Sequence, residues 1–398
     1  MNFPNPFKIN KTPNKRIFLD YASTTPIDEQ VLKVMKESTS GGNFANPSAL
    51  YSEALVVKEK IKEAREKIAN ILNCQKSEII FTSGGTEGNN LALLGVFEAC
   101  KRDDFIPHIV TTVIEHPAIL EICKEIERRG GEVTYVPVSE EGIVSEKDII
   151  KAIKDNTVLV SVMYANNEIG TIQPINQIGK LIKEYKRNKN TELPYFHTDA
   201  CQAAVYLDID VLKLRVDLLT LDGIKMYGPR SSGLLYAKTE TNIFPILFGG
   251  GQEKGIRSGT ENLQAIVGLA EALSLANNDR LGESQRLTSI RDYGIDVLLK
   301  KFPKAKINGS REFRLPNNIN ICFPSIDSEF AVISLDVCGI SASYSSSCRT
   351  LKEDSSSYVV NALGKPNCAN SSLRFTFGKY SNKSDVDALV EALSKIIK

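Results

Sequence analysis

The feature that most constrains this chain is an alternation, repeated from residue 78 onward, of short apolar runs with longer amphipathic stretches. EIIFT at 78–82 reads as a strand, SGGTEGNN as the turn after it, and the apolar-periodic stretch that follows as a helix ending near Cys100. The pair recurs as HIVTT with a helix opened by His116 and Pro117, EVTYV with a helix near 145–154, and TVLVSVM with a helix near 175–187. Strands separated by whole helices cannot pair through hairpins, so they run mainly parallel beneath helices on both faces. The predicted class is α/β. Three further runs, YFHTDA, VDLLTLD and SGLLYAK, have no long helix between them, and one is expected to run antiparallel at the sheet edge.

At 398 residues the chain exceeds one ordinary core. The glycine-rich FGGGQEKGIRSGT at 248–260 closes the alternating region and sets the expected boundary. Residues 26–260 are expected to form a large domain, and residues 1–25 with 261–398 a smaller α+β domain carrying Cys348. The smaller unit would hold a helix starting near Glu261, a long charged helix near 278–302, strand NINICF, a helix near 327–338, strand LRFTF and a final helix.

Lys and Arg total 49 against 48 for Asp and Glu, which gives no drive toward nucleic acid or anionic membranes. The opening MNFPNPFKINKTPNK has no apolar core of the secretory kind, and no run is long and apolar enough to span a bilayer, so a cytoplasmic location is expected. The eight cysteines form no CxxC pair and no crowded framework, so most are expected to be reduced and buried. With three histidines and no ligand-spaced pair, no metal site is expected.

Chemistry-bearing residues gather at strand ends. Gly84, Gly85 and Thr86 stand between a strand and a helix, where unpaired N–H groups and the helix dipole suit a phosphate; a plain glycine turn explains the same residues. His116 before Pro117 falls at a helix N-cap beyond a strand, on the edge where open α/β sheets bind ligands, or serves there only as a cap. Asp199 follows YFHT and Lys225 follows VDLLTLDGI. Pyridoxal phosphate (PLP) chemistry needs such a pair, a lysine for the Schiff base and a carboxylate to keep the pyridine nitrogen protonated, though an ion pair is the plainer reading. Cys348 lies in ISASYSSSCRTLKEDSSSY, the composition of a loop, and Arg349 beside it favours thiolate.

LDYASTTP at 19–26, FTSGGTEGNNLAL at 81–93, EHPAIL at 115–120, NNEIG at 166–170, HTDACQ at 197–202, KMYGP at 225–229 and RSGT at 257–260 together resemble the NifS/IscS-type cysteine desulfurases of the class V aminotransferase fold. Their order and spacing agree over nearly the whole chain. The resemblance implies an aspartate aminotransferase-like PLP-dependent fold. It further implies that Lys225 holds the cofactor, Asp199 pairs with the pyridinium nitrogen, Gln202 and Asn167 address the ring hydroxyl, and His116 stacks on the ring. Gly85 and Thr86 would hold the phosphate, and Thr260 would reach the phosphate of a neighbouring subunit, which implies a homodimer. Arg374 in SSLRFTFG would grip the substrate carboxylate, a task suited to a guanidinium. Cys348 would be the nucleophile, and no chemistry is assigned to Cys201.

Two donors usual in that family are missing. Asp222 stands where a serine is usual and Ile224 where a histidine is usual, and Tyr51 replaces a histidine in ANPSALY. A full negative charge about 4 Å from a phosphate, at an effective dielectric of about 20, costs on the order of 4 kcal/mol. Asp222 is therefore expected to point away, bind a proton, or be offset by Arg230 or Arg257. The implied reaction takes sulfur from L-cysteine, leaving alanine and a persulfide on Cys348, with His116 assisting proton transfers. An iron–sulfur scaffold or a tRNA-thiolation protein would accept the sulfur. A selenocysteine lyase, another class V PLP lyase, and a catalytically impaired sulfur-transfer scaffold stay open on the residues alone.

Overall fold

The computed structural model describes residues 16–40, 43–324, 326–344 and 356–397. A short strand β1 (Ile17–Phe18) is followed by helices α1 (Glu29–Ser38) and α2 (Ser52–Leu72). The alternating region then supplies β2 (Ile79–Thr82), α3 (Gly85–Cys100), β3 (His108–Thr112), α4 (Pro117–Arg128), β4 (Glu132–Val136) and α5 (Glu146–Ala152). It continues through β5 (Thr157–Ser161), α6 (Ile175–Lys189), β6 (Tyr195–Asp199), a short α7 (Val211–Leu214), β7 (Leu218–Asp222) and β8 (Gly233–Ala237).

These strands form one seven-stranded sheet in the order β2-β8-β7-β6-β5-β3-β4. Successive side chains of a strand face opposite sides, and the burial follows that rule. Phe81, Val110, Val160, Phe196 and Leu219 join the core beneath α2 and α6, whereas Ile80, Ile109, Leu159, Tyr195 and Leu218 join the core beneath α3 and α4. A sheet covered on both faces buries its strands throughout: every residue of β3 and β5 is buried, with apolar centres at Ile109–Val110 and Val158–Val160 and polar residues at the ends. The expected antiparallel strand exists, but not at the edge. β8 runs antiparallel to both β2 and β7, so it lies second in the sheet and β2 takes the edge. The connection 223–232 contains no crossover helix, so it reverses the chain and returns it beside β7.

Helix α4 shows how local sequence sets an element. His116 caps it, Pro117 occupies its first turn, and Ile119, Ile122, Cys123 and Ile126 recur at helical spacing and are buried. Each large apolar side chain so buried contributes about 1.5–3 kcal/mol.

Beyond the glycine-rich stretch a single helix α8 (Leu263–Lys301) replaces the two expected. Exposed Asn277, Asn278 and Asp279, where the second helix was expected to begin, continue the helix as it passes from one core to another: Leu263–Ala276 contribute to the first core and Leu287–Leu298 to a separate one. The remaining elements are β9 (Lys306–Ile307), β10 (Asn318–Cys322), α9 (Ser328–Val337), β11 (Ile340–Ser341), α10 (Tyr358–Ala362), α11 (Pro366–Ala369), β12 (Ser372–Thr376) and α12 (Lys383–Ile396). β12, β10 and β9 make a three-stranded antiparallel sheet, β1 pairs with β11, and Leu19 enters the core of this region.

Most of the described cysteines are free, as expected, but of these only Cys123 is buried, and Cys322 and Cys368 form a disulfide. Cys322 ends β10 opposite Ser372, and the Ser372 hydroxyl donates to the Cys368 carbonyl, so the turn from α11 into β12 brings the two sulfurs together. Their separation of 46 residues hides that encounter from sequence spacing. Cys74, Cys100, Cys123, Cys201 and Cys338 are free. Among the described residues, no helix is long and apolar enough to cross a membrane.

Candidate active site

Strands β6 and β7 are parallel neighbours and end at Asp199 and Asp222, so both carboxylates emerge at the same edge of the sheet. Asp199 is 8% exposed; its Oδ2 accepts from Asn89 Nδ2 at 2.7 Å and its Oδ1 from the Cys201 N–H at 3.0 Å. Lys225 closes a single 3-10 turn, Gly223–Lys225, directly after β7. Its ammonium donates to the carbonyls of Ala22 at 2.9 Å and Ser23 at 2.6 Å, and Gln202 Nε2 donates to the same Ala22 carbonyl at 2.9 Å. The LDYASTTP loop thus holds both donors through its backbone.

His116 accepts from the Ala118 N–H at Nδ1, 3.1 Å, which leaves the proton of the neutral ring on Nε2. Burial pushes its pKa down; Asp199 pulls the other way and Lys225 adds to the fall. The Asn166 side chain receives the N–H groups of Glu168 and Ile169 and donates to the Ile114 carbonyl, tying down the turn that carries Asn167. Gly170 completes that turn at φ +73, where a β-carbon would lie 2.6 Å from the Asn318 side chain. Asn167 is buried, and its Oδ1 has no hydrogen-bond partner among the described residues.

Arg374 projects from β12 and is 2% exposed. Its guanidinium donates to the Asn167 carbonyl at 3.0 Å and pairs with Asp20 at 2.7 Å, while its buried Nε has no partner among the described residues.

The structure brings Lys225, Asp199, Gln202 and His116 to one pocket. Gly85, Thr86, Asn167 and Arg374 line it as well. Thr260 lies elsewhere, in a surface depression beside Phe44 and Asn262. Cys348 lies outside the described residues, but the chain on either side of it is tethered next to the pocket. Ser343 and Arg374 exchange backbone hydrogen bonds, and the Tyr358 hydroxyl donates to the Glu115 carbonyl at 2.5 Å.

Asp222 does not point away. Its Oδ2 accepts from the Gly85 N–H at 3.0 Å and its Oδ1 from the Ile224 N–H at 3.1 Å, and it lines the pocket. Arg257 is not its counter-ion, being paired with Glu87 at 2.7 Å. Burial raises the pKa of Asp222 most; the Gly85 and Ile224 donors and Lys225 oppose that, Asp199 reinforces it, and the net shift is upward. Cys201, assigned no chemistry, has its thiol pushed well above the ordinary value, first by burial and then by Asp199.

Sequence reasoning did not single out Asp20, which pairs with Arg374, or Asn89, which orients Asp199. Asn89 stands one helical turn beyond Gly85 on the buried side of α3, and a polar residue on such a face was its only signal.

Residues 17–389 match the family model described as Aminotransferase class-V. The cysteine desulfurase IscS of Clostridium botulinum is 44% identical over 388 residues, covering 97% of this chain and 95% of that protein. A solved NifS-like protein superposes with a TM-score of 0.88 at 32% identity, over 96% of this chain and 99% of its own. The structure of SspA in complex with cysteine gives 0.79 at 32% identity, over 92% of this chain and the whole of its own. The NifS-like neighbours share the parallel sheet flanked by helices, and the match runs through both the large sheet and the C-terminal region: the chain belongs to the class-V aminotransferase family.

Proposed function

We propose that this chain is a PLP-dependent cysteine desulfurase that converts L-cysteine to L-alanine and leaves the sulfur as a persulfide on Cys348. The observation that carries the reading is the convergence of Lys225, Asp199, His116, Asn167 and Arg374, drawn from five separate segments, on one pocket.

The ring end of that pocket fits the cofactor. It offers an amine at Lys225, a carboxylate at Asp199 fixed by two donors, and a buried acceptor at Asn167 Oδ1 that has no partner among the described residues. Asp199 would pair with the ring nitrogen, Gln202 and Asn167 would meet the ring hydroxyl, and His116 would stack on the ring. The phosphate end, at Gly85 and Thr86, is partly taken by Asp222. Bound at Lys225, the cofactor would supply an electron sink for the pair left at the substrate Cα.

The chain's own groups do the rest. Arg374, already fixed on one side by Asp20, would turn its free Nε edge to the substrate carboxylate. The Lys225 amine would carry the Cα proton, and His116, with Nδ1 held by the Ala118 N–H and its proton on Nε2, would assist the sulfur's proton transfers as a donor through Nε2–H. Cys348 lies four residues beyond Tyr344, a reach of about 14 Å for extended chain. Its thiolate would form a bond to the substrate sulfur as the carbon–sulfur bond breaks, with the bonding pair passing to carbon, which takes a proton and leaves as alanine. A protein acceptor then receives the sulfur.

Two further points belong to this reading. The chain would form two domains, 26–260 and 1–25 with 261–398, supported by Leu19 entering the core of the C-terminal region. It would act as a cytoplasmic homodimer in which Thr260 serves the neighbouring subunit; support comes from Thr260 facing outward beside Phe44, which is 87% exposed.

The test measures alanine release and protein-bound persulfide. Lys225→Ala should lower turnover by at least about 10²–10⁴-fold, and Cys348→Ala should abolish the persulfide. Undiminished alanine formation by the lysine variant would overturn the mechanism.

A further inference from the structure

The first N–H groups of a helix have no partner within it, and their positive end favours an anion. In α3 these groups point to the pocket edge. Gly84 at φ +144 brings the backbone so close to β8 that a β-carbon on Gly233 would lie 2.6 Å from the Gly84 Cα, leaving the helix start open toward β7. From the end of β7 Asp222 reaches across, and its carboxylate accepts the Gly85 N–H at 3.0 Å. β-Carbons built on Gly84 and Gly85 would each lie 3.3 Å from Asp222 Oδ2, so the carboxylate is seated against both glycines. Its second oxygen is held by Ile224 N–H, which makes the placement bidentate across two elements. The neighbouring cations have partners of their own: Arg257 is engaged by Glu87, and the Lys225 ammonium by Ala22 and Ser23.

We infer that Asp222 is an internal anion seated in the phosphate cradle of the cofactor site, and that it sets cofactor specificity by offsetting the advantage a phosphate would otherwise bring. The inference rests on the PLP-dependent reading and deepens it. A phosphorylated cofactor must share the α3 N-terminus with a carboxylate or displace it and lose the Gly85 contact, whereas an unphosphorylated pyridoxal has no charge to place there. The chain would therefore discriminate weakly between the two aldehydes. Replacing the carboxylate by a neutral group of similar size restores the discrimination while keeping an acceptor for Gly85.

The experiment titrates cofactor-free full-length protein with PLP and, separately, with pyridoxal, following the visible absorption that covalent capture at Lys225 produces. Wild type is compared with Asp222→Asn, which preserves an oxygen acceptor for the helix cap, and with Asp222→Ser, and circular dichroism establishes that each is folded. Both variants are expected to bind PLP at least tenfold more tightly than wild type, with pyridoxal affinity changing less than threefold. Equal changes for the two aldehydes, or PLP affinity that is unchanged or weaker in both variants, would overturn the inference while leaving the desulfurase reading intact. Folded proteins that capture neither aldehyde in any variant would overturn the PLP reading itself, and the inference with it.

Discussion

Arg374 is a nearly buried cation whose guanidinium is held by the Asp20 carboxylate and the Asn167 carbonyl, and Asp20 is its one charged partner among the described residues. Breaking a buried pair by removing one partner typically costs 3–5 kcal/mol, because a charge is left uncompensated. Asp20→Ala is expected to lose about 3–5 kcal/mol of stability and to raise the KM for L-cysteine. Asp20→Asn, which keeps an acceptor oxygen, should recover part of both, and urea unfolding with initial-rate measurements would show it. A KM unchanged from wild type in both variants would mean that the ion pair does not position the guanidinium. These two partners lie 354 residues apart, and Asn89 lies 110 residues from Asp199. The placement of Asp199 and Lys225 at strand ends was legible because strand ends are local features, while their assigned roles came only from the resemblance; their supporting residues were not legible, because each meets its partner only from a distant segment. Asp222 is an intermediate case: its sequence position exposed the conflict with a phosphate, but only its bond to Gly85 showed that it turns inward.

At the scale of elements, periodicity located the strands and helices of the alternating region because both sheet faces are buried and helices such as α4 and α6 present one apolar stripe, whereas α3 is buried on nearly all sides from Leu91 to Phe97. Strand direction and helix continuity are less local. β8 differs from its neighbours only in lacking a crossover helix, and α8 carries a polar stretch that is exposed between two cores without ending the helix. The disulfide between β10 and α11 is less local still. Closing a loop of 46 residues restricts the unfolded chain, an effect worth about 2–4 kcal/mol in the chain-entropy account. Cys322→Ser, or reduction of the wild type, is accordingly expected to lower the denaturant midpoint by about that free energy. Equal midpoints with and without reductant, in protein whose thiol count has been shown to rise by two, would show that the bond contributes nothing to the native fold.

Across the whole molecule the buried titratable groups predict where stability is greatest. All three histidines sit below their ordinary value, each chiefly through burial, with His108 and His197 at about 4. His197 is enclosed between the hydroxyls of Ser161 and Thr220 at 2.9 and 3.0 Å, a setting that suits the neutral ring. From pH 6.5 down to about 4 the unfolded chain binds protons that the native histidines refuse, so stability falls on acidification. For His197 the fall from 6.5 to about 4 corresponds to about 3 kcal/mol. Glu115 acts in the opposite sense: burial raises it from 4.5 to about 8 against the pull of its Thr112 and Met163 donors. Between those values the native state keeps a proton that the unfolded chain releases, so stability falls as pH rises. Below pH 6.5 the three depressed histidines outweigh the two raised acids, Glu115 and Asp222, and above it the histidines no longer contribute while Glu115 still does, which places the maximum near 6.5. Denaturant midpoints measured from about pH 4.5 to about 8.5 should trace that dome. Glu115→Gln should flatten its alkaline limb and His197→Gln its acid limb, whereas a wild-type curve still rising at about pH 8 would show that Glu115 is ionised in the native protein.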